Sequence, residues 1–128
     1  MTEPLHDHDI LTRFLLPDAG VRGVRVHLDE AWVQVRSRDD HGAAVTELLG
    51  EALAASALFT GHAKVDGRLS VQLRGTGALR TLFAECTAAG TVRGIARVEG
   101  APPATRDLRA LGEDAVLAII IENPTGAG

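Results

Sequence analysis

The chain has 128 residues, of which 45% are hydrophobic and 23% are charged, and its formal net charge is −4. A chain of this length forms one domain and can bury a core without the help of disulfides or metals. The acidic balance and an aromatic content of only 3% exclude the basic patches and stacking residues by which nucleic-acid-binding domains are usually recognised.

The cysteine content and the N-terminal residues indicate in which cellular compartment the protein is expected. The single thiol, Cys86, can form neither an internal disulfide nor a cysteine-based zinc site. The first residues are acidic and polar, whereas a signal peptide has a basic start and an apolar run. No apolar stretch approaches the roughly 20 residues of a membrane span. We therefore expect a soluble, cytoplasmic protein that binds neither nucleic acid nor membrane.

In the first third of the chain, apolar and polar residues alternate over 21–28, which predicts a half-buried strand. Gly23 within it predicts a close approach by a neighbouring group. The segment before it, 10–16, is compatible with a strand or with a short helix. Asp29 and Glu30 are placed to cap a short helix, although alternation in the residues that follow keeps a strand as the alternative.

The strongest predicted element comes next in the chain. Apolar residues at helical spacing over 45–59 predict a long helix that is covered on more than one side, with Gly61 as its C-terminal stop. Gly50 lies inside this helix, where glycine costs about 1 kcal/mol relative to alanine, and this predicts a close crossing by a neighbouring element. Ser56 lies on the apolar face and is expected to be a small packing residue.

The second half of the chain mixes predicted strands and helices. Alternation predicts strands over 69–73 and 92–98, and apolar spacing predicts a short helix over 78–86 and one helical turn at 107–111. The continuous apolar run 115–121 is typical of a central strand buried on both faces. The expected class is α/β or mixed α+β, in which a mixed sheet packs against one long and one or two short helices.

Two glycines offer an alternative function. Gly75 and Gly77 lie between a predicted strand and a predicted helix, where backbone amides at a helix N-terminus can bind a phosphate. The third glycine of a dinucleotide-binding loop is absent, because Arg80 occupies its place. A small nucleotide- or phosphate-binding domain therefore stays open as the alternative. No side chain has the context of an activated nucleophile, so we predict that the chain is not an enzyme.

An ordered series of motifs resembles the heat shock protein 33 family of redox-regulated holdase chaperones. The series consists of DILTRFL at 9–15, VRG at 21–23, ELLGEALAA at 47–55, LSVQLRGTG at 69–77 and VRGIARV at 92–98. Each motif is weak by itself, but their order and spacing extend over nearly the whole chain. The chain looks like the front part of the N-terminal substrate-binding domain of that family.

The resemblance implies a chaperone that binds unfolding proteins without ATP, and a C-terminal zinc module of four cysteines that senses oxidation. These residues hold only one cysteine, so we expect no zinc cofactor and no redox switch within them. The expected organisation is a partial substrate-binding domain over 1–122, followed by a disordered tail over 123–128.

Apolar surface is the feature by which such a domain is expected to act. We predict that it binds unfolded or partly unfolded proteins, and that uncovered apolar surface also leads to self-association, domain swapping or dimer formation. The residues predicted to contact an unfolded polypeptide are Leu48, Leu49, Leu53, Phe59 and Ile119.

Overall fold

A computed structural model of the chain describes residues 3–4, 9–63 and 65–124. The strands and helices are β1 (Glu3–Pro4), β2 (Ile10–Leu16), β3 (Val21–His27), α1 (Glu30–Arg36), α2 (Ala43–His62), β4 (Arg68–Arg74), β5 (Leu79–Thr87), β6 (Thr91–Val98) and β7 (Val116–Glu122). Short 3-10 turns occupy Pro17–Ala19 and Leu108–Ala110. Of the tail expected over 123–128, residues 125–128 lie outside the described part.

The strands form two antiparallel sheets. One has five strands in the order β1-β6-β5-β4-β7, and the other is the β2–β3 hairpin. Helix α2 contacts both sheets, and α1 packs beside it. The predicted mixed α+β class, with one long helix and one short helix against a sheet, is confirmed, although the sheet expected to be mixed is antiparallel in all of its described strand pairs. The ambiguous segment 10–16 is a strand.

The core lies between α2 and the five-stranded sheet. Leu69, Val71 and Leu73 alternate along β4 and face the helix, which presents Leu49 and Leu53. Burial of apolar area of this kind is the dominant favourable contribution to folding, at about 25 cal/mol per Å². The helical spacing seen in the sequence therefore reports a real packing face.

Two glycines of α2 mark close approaches. The ring of Trp32 lies so near Gly50 that an added Cβ would come within 3.1 Å of it, which confirms the predicted close crossing. The prediction that Gly61 ends the helix is wrong, because α2 continues to His62. Gly61 packs instead against the hairpin, where a Cβ would lie 2.7 Å from a methyl group of Leu11.

Helix α1 is capped from a distance. Its N-cap residue, Asp29, makes no side-chain capping bond, although the sequence suggested that role. The carboxylate of Asp9 accepts the backbone N–H of Ala31 at 3.2 Å and also that of Asp29. A carboxylate in this position satisfies amides that no turn of the helix can reach. Asp9 is itself buried, so the start of the hairpin and the start of α1 are held together.

Replacing Asp9 with alanine is expected to lower the free energy of unfolding by about 0.5–2 kcal/mol, which is the usual cost of losing a capping side chain. Urea denaturation followed by circular dichroism measures this as a lower midpoint. Asp9→Asn is the matched control, because an amide oxygen can still accept the same bonds. An alanine variant with the wild-type midpoint would show that the cap is dispensable.

The prediction of a helix over 78–86 is wrong, because nearly all of these residues belong to strand β5 (Leu79–Thr87). This strand is paired with β4 on one side and with β6 on the other. An irregularity between Leu79 and Thr81 shifts the register. It turns both Leu79 and Leu82 toward the core, so their separation of three residues imitates a helical repeat. Beyond the irregularity the strand alternates in the ordinary way.

The apolar run 115–121 was expected to be a central strand, and this is also wrong. It forms β7, the outermost strand of the sheet, which pairs only with β4 among the described residues. Helix α2 packs over β4, β5 and β6 and leaves β7 uncovered. Most side chains on both faces of β7 are therefore exposed.

Candidate functional site

Exposed apolar side chains concentrate in two places. The hairpin surface is formed by residues of β2 and of the start of β3, which are between 43% and 64% exposed: Ile10, Phe14, Leu15, Leu16 and Val21. The β7 surface is formed by residues that are between 39% and 62% exposed: Val116, Leu117, Ile119, Ile120 and Ile121. Large apolar side chains that are exposed close together mark interaction surfaces in soluble proteins.

The register of the hairpin explains how its apolar side chains are displayed. Phe14 lies directly opposite Gly23, and Leu16 lies opposite Val21. The ring of Phe14 occupies the space where a side chain at position 23 would be, so the predicted close approach to Gly23 is confirmed. Paired residues point to the same face, and this outward face is the one that faces away from α2.

The opposite face of the hairpin packs on the end of α2. Leu11 and Val24 contact Gly61, and the Nε of Arg13 donates to the Gly61 carbonyl at 2.6 Å. This bond satisfies a carbonyl of the last helical turn, which has few intrahelical partners. Because Arg13 comes from the hairpin, the bond fixes the hairpin against the helix.

A groove of about 540 Å³ opens where the hairpin passes the end of α2. Its apolar lining includes Phe14 and Leu15, and its polar rim includes Arg22 and His62. Leu15 belongs to the face that packs on α2, yet it is the most exposed large apolar side chain of the hairpin, at 64%. The groove therefore joins exposed apolar area to positive charge.

The five residues predicted as contacts fall into two groups. Leu48, Leu49 and Leu53 are at most 5% exposed and belong to the core, so in this fold they are not surface residues. Phe59 and Ile119 are 43% and 49% exposed. For these two, a contact with another polypeptide stays a prediction.

Sequence reasoning missed the hairpin surface altogether. A signal was present in the consecutive residues Leu15 and Leu16, because adjacent residues of a strand point to opposite faces. A two-stranded sheet that buries one face cannot bury both of these side chains. Exposure of at least one of them follows from the pattern.

The glycines Gly75 and Gly77 do not lie before a helix. They connect β4 and β5, so the strand–turn–helix context that favoured phosphate binding is wrong. The N–H of Gly75 donates to the carbonyl of Arg80 at 3.1 Å. A Cβ at Gly77 would lie 3.1 Å from the carbonyl oxygen of Leu111. Close packing of the backbone explains why glycine occupies these positions. The turn therefore lacks the helix N-terminus on which the predicted phosphate site depended.

A second groove, of about 520 Å³, lies beside the middle of α2 and the end of β3. Trp32 and Gly50 are among its lining residues, and Arg106 crosses its rim to contact Glu47 and Glu51 of the helix. The positive charge at this rim is thus already neutralised by two carboxylates. Exposed pairs of this kind contribute about 0–1 kcal/mol each.

Charges on the outer face of the five-stranded sheet also pair with each other. The carboxylate of Glu85 is buried, with Arg93 at 3.7 Å and Arg68 at 3.9 Å. Arg93 stacks over the ring of Phe83, 5.0 Å from its centre, and Arg68 also binds Glu122. These contacts pair the charges around Glu85 with one another.

Helix α2 is long and apolar enough to cross a membrane, by length and composition alone, with a mean hydropathy of 1.3. This differs from our expectation that no segment reaches that length. Its buried side chains, among them Val45 and Leu53, pack against the sheets. An all-round apolar helix is typical of the centre of a protein as well as of a membrane, and packing accounts for its composition here.

Comparison with known proteins gives consistent matches. The 33 kDa chaperonin of Hahella chejuensis is 41% identical over 118 residues, which are 92% of this chain and 41% of that protein. The 33 kDa chaperonin of Chromobacterium violaceum is 45% identical over 96 residues, which are 75% and 33% of the two chains. The chain therefore spans less than half of the length of these relatives.

A solved structure supports the same relationship. The 33 kDa chaperonin of Thermotoga maritima superimposes with a TM-score of 0.64 at 25% identity, and the match covers 91% of this chain and 46% of that one. The family model described as Hsp33 protein matches residues 9–127, which is nearly the whole chain. The resemblance seen in the ordered motifs is thus confirmed, and the chain belongs to the Hsp33 family.

Proposed function

We propose that this chain is a holdase-type chaperone module, which binds unfolding polypeptides without ATP through exposed apolar surface. The observation that carries the proposal is the hairpin surface, where five large apolar side chains are about half exposed or more. Apolar contact is non-directional, so it can bind many partners that expose apolar segments but have no common structure. Membership of a family whose relatives are named 33 kDa chaperonin supports this assignment.

Suppression of aggregation tests the proposal. A heat-denatured client protein is followed by light scattering with and without the chain, and wild type is expected to suppress the signal. The double variant Leu15→Ser, Leu16→Ser is expected to lose most of this effect, because it removes apolar area from the hairpin surface. Val33→Ser is the matched control, since Val33 is 43% exposed but lies on α1. No suppression by wild type would refute the proposal.

We further propose that the activity of these residues is independent of redox state. Cys86 is almost fully buried on β5, and this burial raises the pKa of its thiol. A higher pKa leaves less thiolate at neutral pH, and the thiolate is the reactive form. The expectation that no zinc is bound within these residues also stays a prediction, which metal analysis of the purified chain can check.

Native Cys86 is expected to react with a thiol reagent at least about tenfold more slowly than the thiol of the urea-unfolded chain, because both burial and the raised pKa oppose attack. The rate of absorbance change with an aromatic disulfide reagent measures this. Aggregation suppression is expected to be the same under reductant and mild oxidant. Rapid native labelling together with a redox-dependent activity would contradict the proposal.

We also propose that the chain self-associates through the β7 surface. The outer edge of β7 has no strand partner among the described residues, so its backbone N–H and C=O groups can pair with another strand. Its sequence from Val116 to Ile121 carries neither charge nor proline, the two devices that commonly protect a sheet edge. A second copy of the chain presents the same edge and can satisfy it.

A further inference from the structure

We infer that the hairpin surface selects unfolded segments in which an apolar residue is followed two positions later by a carboxylate, an inference that rests on the proposed function. The chain as a whole has a formal charge of −4. Residues 10–27, in contrast, contain three arginines and one aspartate, Asp18, which gives this segment a formal charge of +2. The apolar area of the hairpin is therefore combined with positive charge in an otherwise acidic molecule.

The positive charge of the hairpin is available to a partner. Arg22 and Arg25 are exposed, and neither makes a hydrogen bond or ion pair with a described residue. Arg13 uses its Nε to bind the Gly61 carbonyl, which leaves the ends of its guanidinium group free. Three arginines of the five-stranded sheet, Arg68, Arg80 and Arg93, differ, since each pairs with a carboxylate.

The spacing of the hairpin residues indicates which segments fit. Arg25 follows Gly23 by two residues on the outward face, and Gly23 lies opposite Phe14. Residues two apart on a strand are separated by about 7 Å on the same face. An extended polypeptide on this face that places an apolar side chain near Phe14 can therefore place a carboxylate two residues away near Arg25. The favoured partner has the pattern apolar–any–acidic.

A similar combination exists on the other face of the hairpin. Arg22 lies directly opposite Leu15, and both line the groove beside the end of α2 together with His62. An exposed ion pair is worth little by itself in water, and salt screens it. The charges are expected to cause modest differences in affinity between partners and to speed their association. Apolar contact is expected to supply the affinity that all partners have in common.

A set of labelled peptides of equal length tests the inference. Each repeats the four residues Leu-Ser-X-Ser, where X is glutamate, glutamine or lysine, so that leucine and X lie two residues apart and on the same face of an extended chain. Fluorescence anisotropy is expected to show that the wild-type chain binds the leucine–glutamate peptide roughly fivefold more tightly than the leucine–lysine peptide at low salt. The difference is expected to vanish at about 1 M salt, where the Debye length is about 3 Å.

The double variant Arg22→Gln, Arg25→Gln is expected to lose this preference while it binds the leucine–glutamine peptide as wild type does. Arg97→Gln, which removes an exposed cation of β6, is the matched control and is expected to keep the preference. An unchanged preference in the double variant would overturn the inference. So would equal binding of all three peptides by wild type, or binding to phosphatidylserine vesicles without binding to any peptide.

These outcomes separate the inference from the proposed function. Binding of the neutral peptide and suppression of client aggregation, without a charge preference, would remove only the inference. Failure of wild type in both of those measurements would remove the proposed function as well.

Discussion

Replacing Leu53 with alanine is expected to lower the free energy of unfolding by about 2–5 kcal/mol, as for other large-to-small substitutions in a core. Leu53 has no exposed surface, so the substitution leaves a cavity between α2 and the sheet. Phe59→Ala, six residues later on the same helix, removes a side chain that is 43% exposed. It is expected to cost much less. Urea denaturation of both variants measures the two values.

The same pair of variants distinguishes the core from a contact surface. Below its lowered melting temperature, Leu53→Ala is expected to suppress client aggregation as wild type does, because its hairpin surface is unchanged. Phe59→Ala, which is expected to lose little stability, shows whether exposed apolar area on α2 adds to client binding. A Leu53→Ala variant with wild-type stability would contradict the placement of α2 in the core.

If two copies of the chain pair through β7 as proposed, a single lysine in this strand is expected to give a monomer. Ile119 lies at the middle of the strand and is 49% exposed, so Ile119→Lys introduces a charge into the proposed contact without removing a core residue. Charged side chains at sheet edges oppose pairing with other strands. Light scattering after size-exclusion chromatography measures the mass, which is expected to fall by half. Leu15→Lys, on the hairpin surface, is the control and is expected to stay dimeric.

Cross-linking tests the symmetry of this contact. Leu117, Ile119 and Ile121 face the same side of the sheet as α2, as judged from their partners on β4. A twofold axis perpendicular to the sheet at Ile119 would pair this residue with its own copy and keep both helices on one side. Cysteines that face each other across such a pair lie close enough for a disulfide.

Oxidation of the Ile119→Cys variant is therefore expected to give a covalent dimer. Val116→Cys is the matched control, because Val116 is more exposed, at 62%, but lies at the end of the strand and far from its own copy. Equal cross-linking of both variants would indicate random collision. That result, or an unchanged mass for Ile119→Lys, would contradict pairing through β7.

Local pattern was enough to predict much of the fold. The strand at 21–28, the long helix and the strands at 69–73 and 92–98 follow from periodicity, because each buries one face against a neighbour. Close approaches at Gly23 and Gly50 could also be predicted, since glycine in a regular element costs stability unless something needs its space. These features depend on residues that are near each other in the chain.

The errors arose where the neighbours of an element, rather than its own residues, decide the outcome. A register shift at Leu79 made a central strand look helical. The apolar run 115–121 does not encode whether another layer covers it, so an edge strand looked like a central one. Helical spacing showed that Leu48 and Leu53 share an apolar face, but the same spacing fits a core and a binding surface. The hairpin surface differs, because its own adjacent residues Leu15 and Leu16 carried a signal.

The carboxylate of Asp9 has a consequence for how the molecule opens. It accepts hydrogen bonds from backbone N–H groups at the start of α1, some 20 residues further along the chain. These N–H groups therefore lose their hydrogen bonds when the hairpin detaches. Hydrogen exchange at Asp29 and Ala31 should thus report the opening of residues 9–31 as one cooperative unit. The hydrogen-exchange rate of these amides therefore measures how often the hairpin detaches and the groove beside α2 is lost.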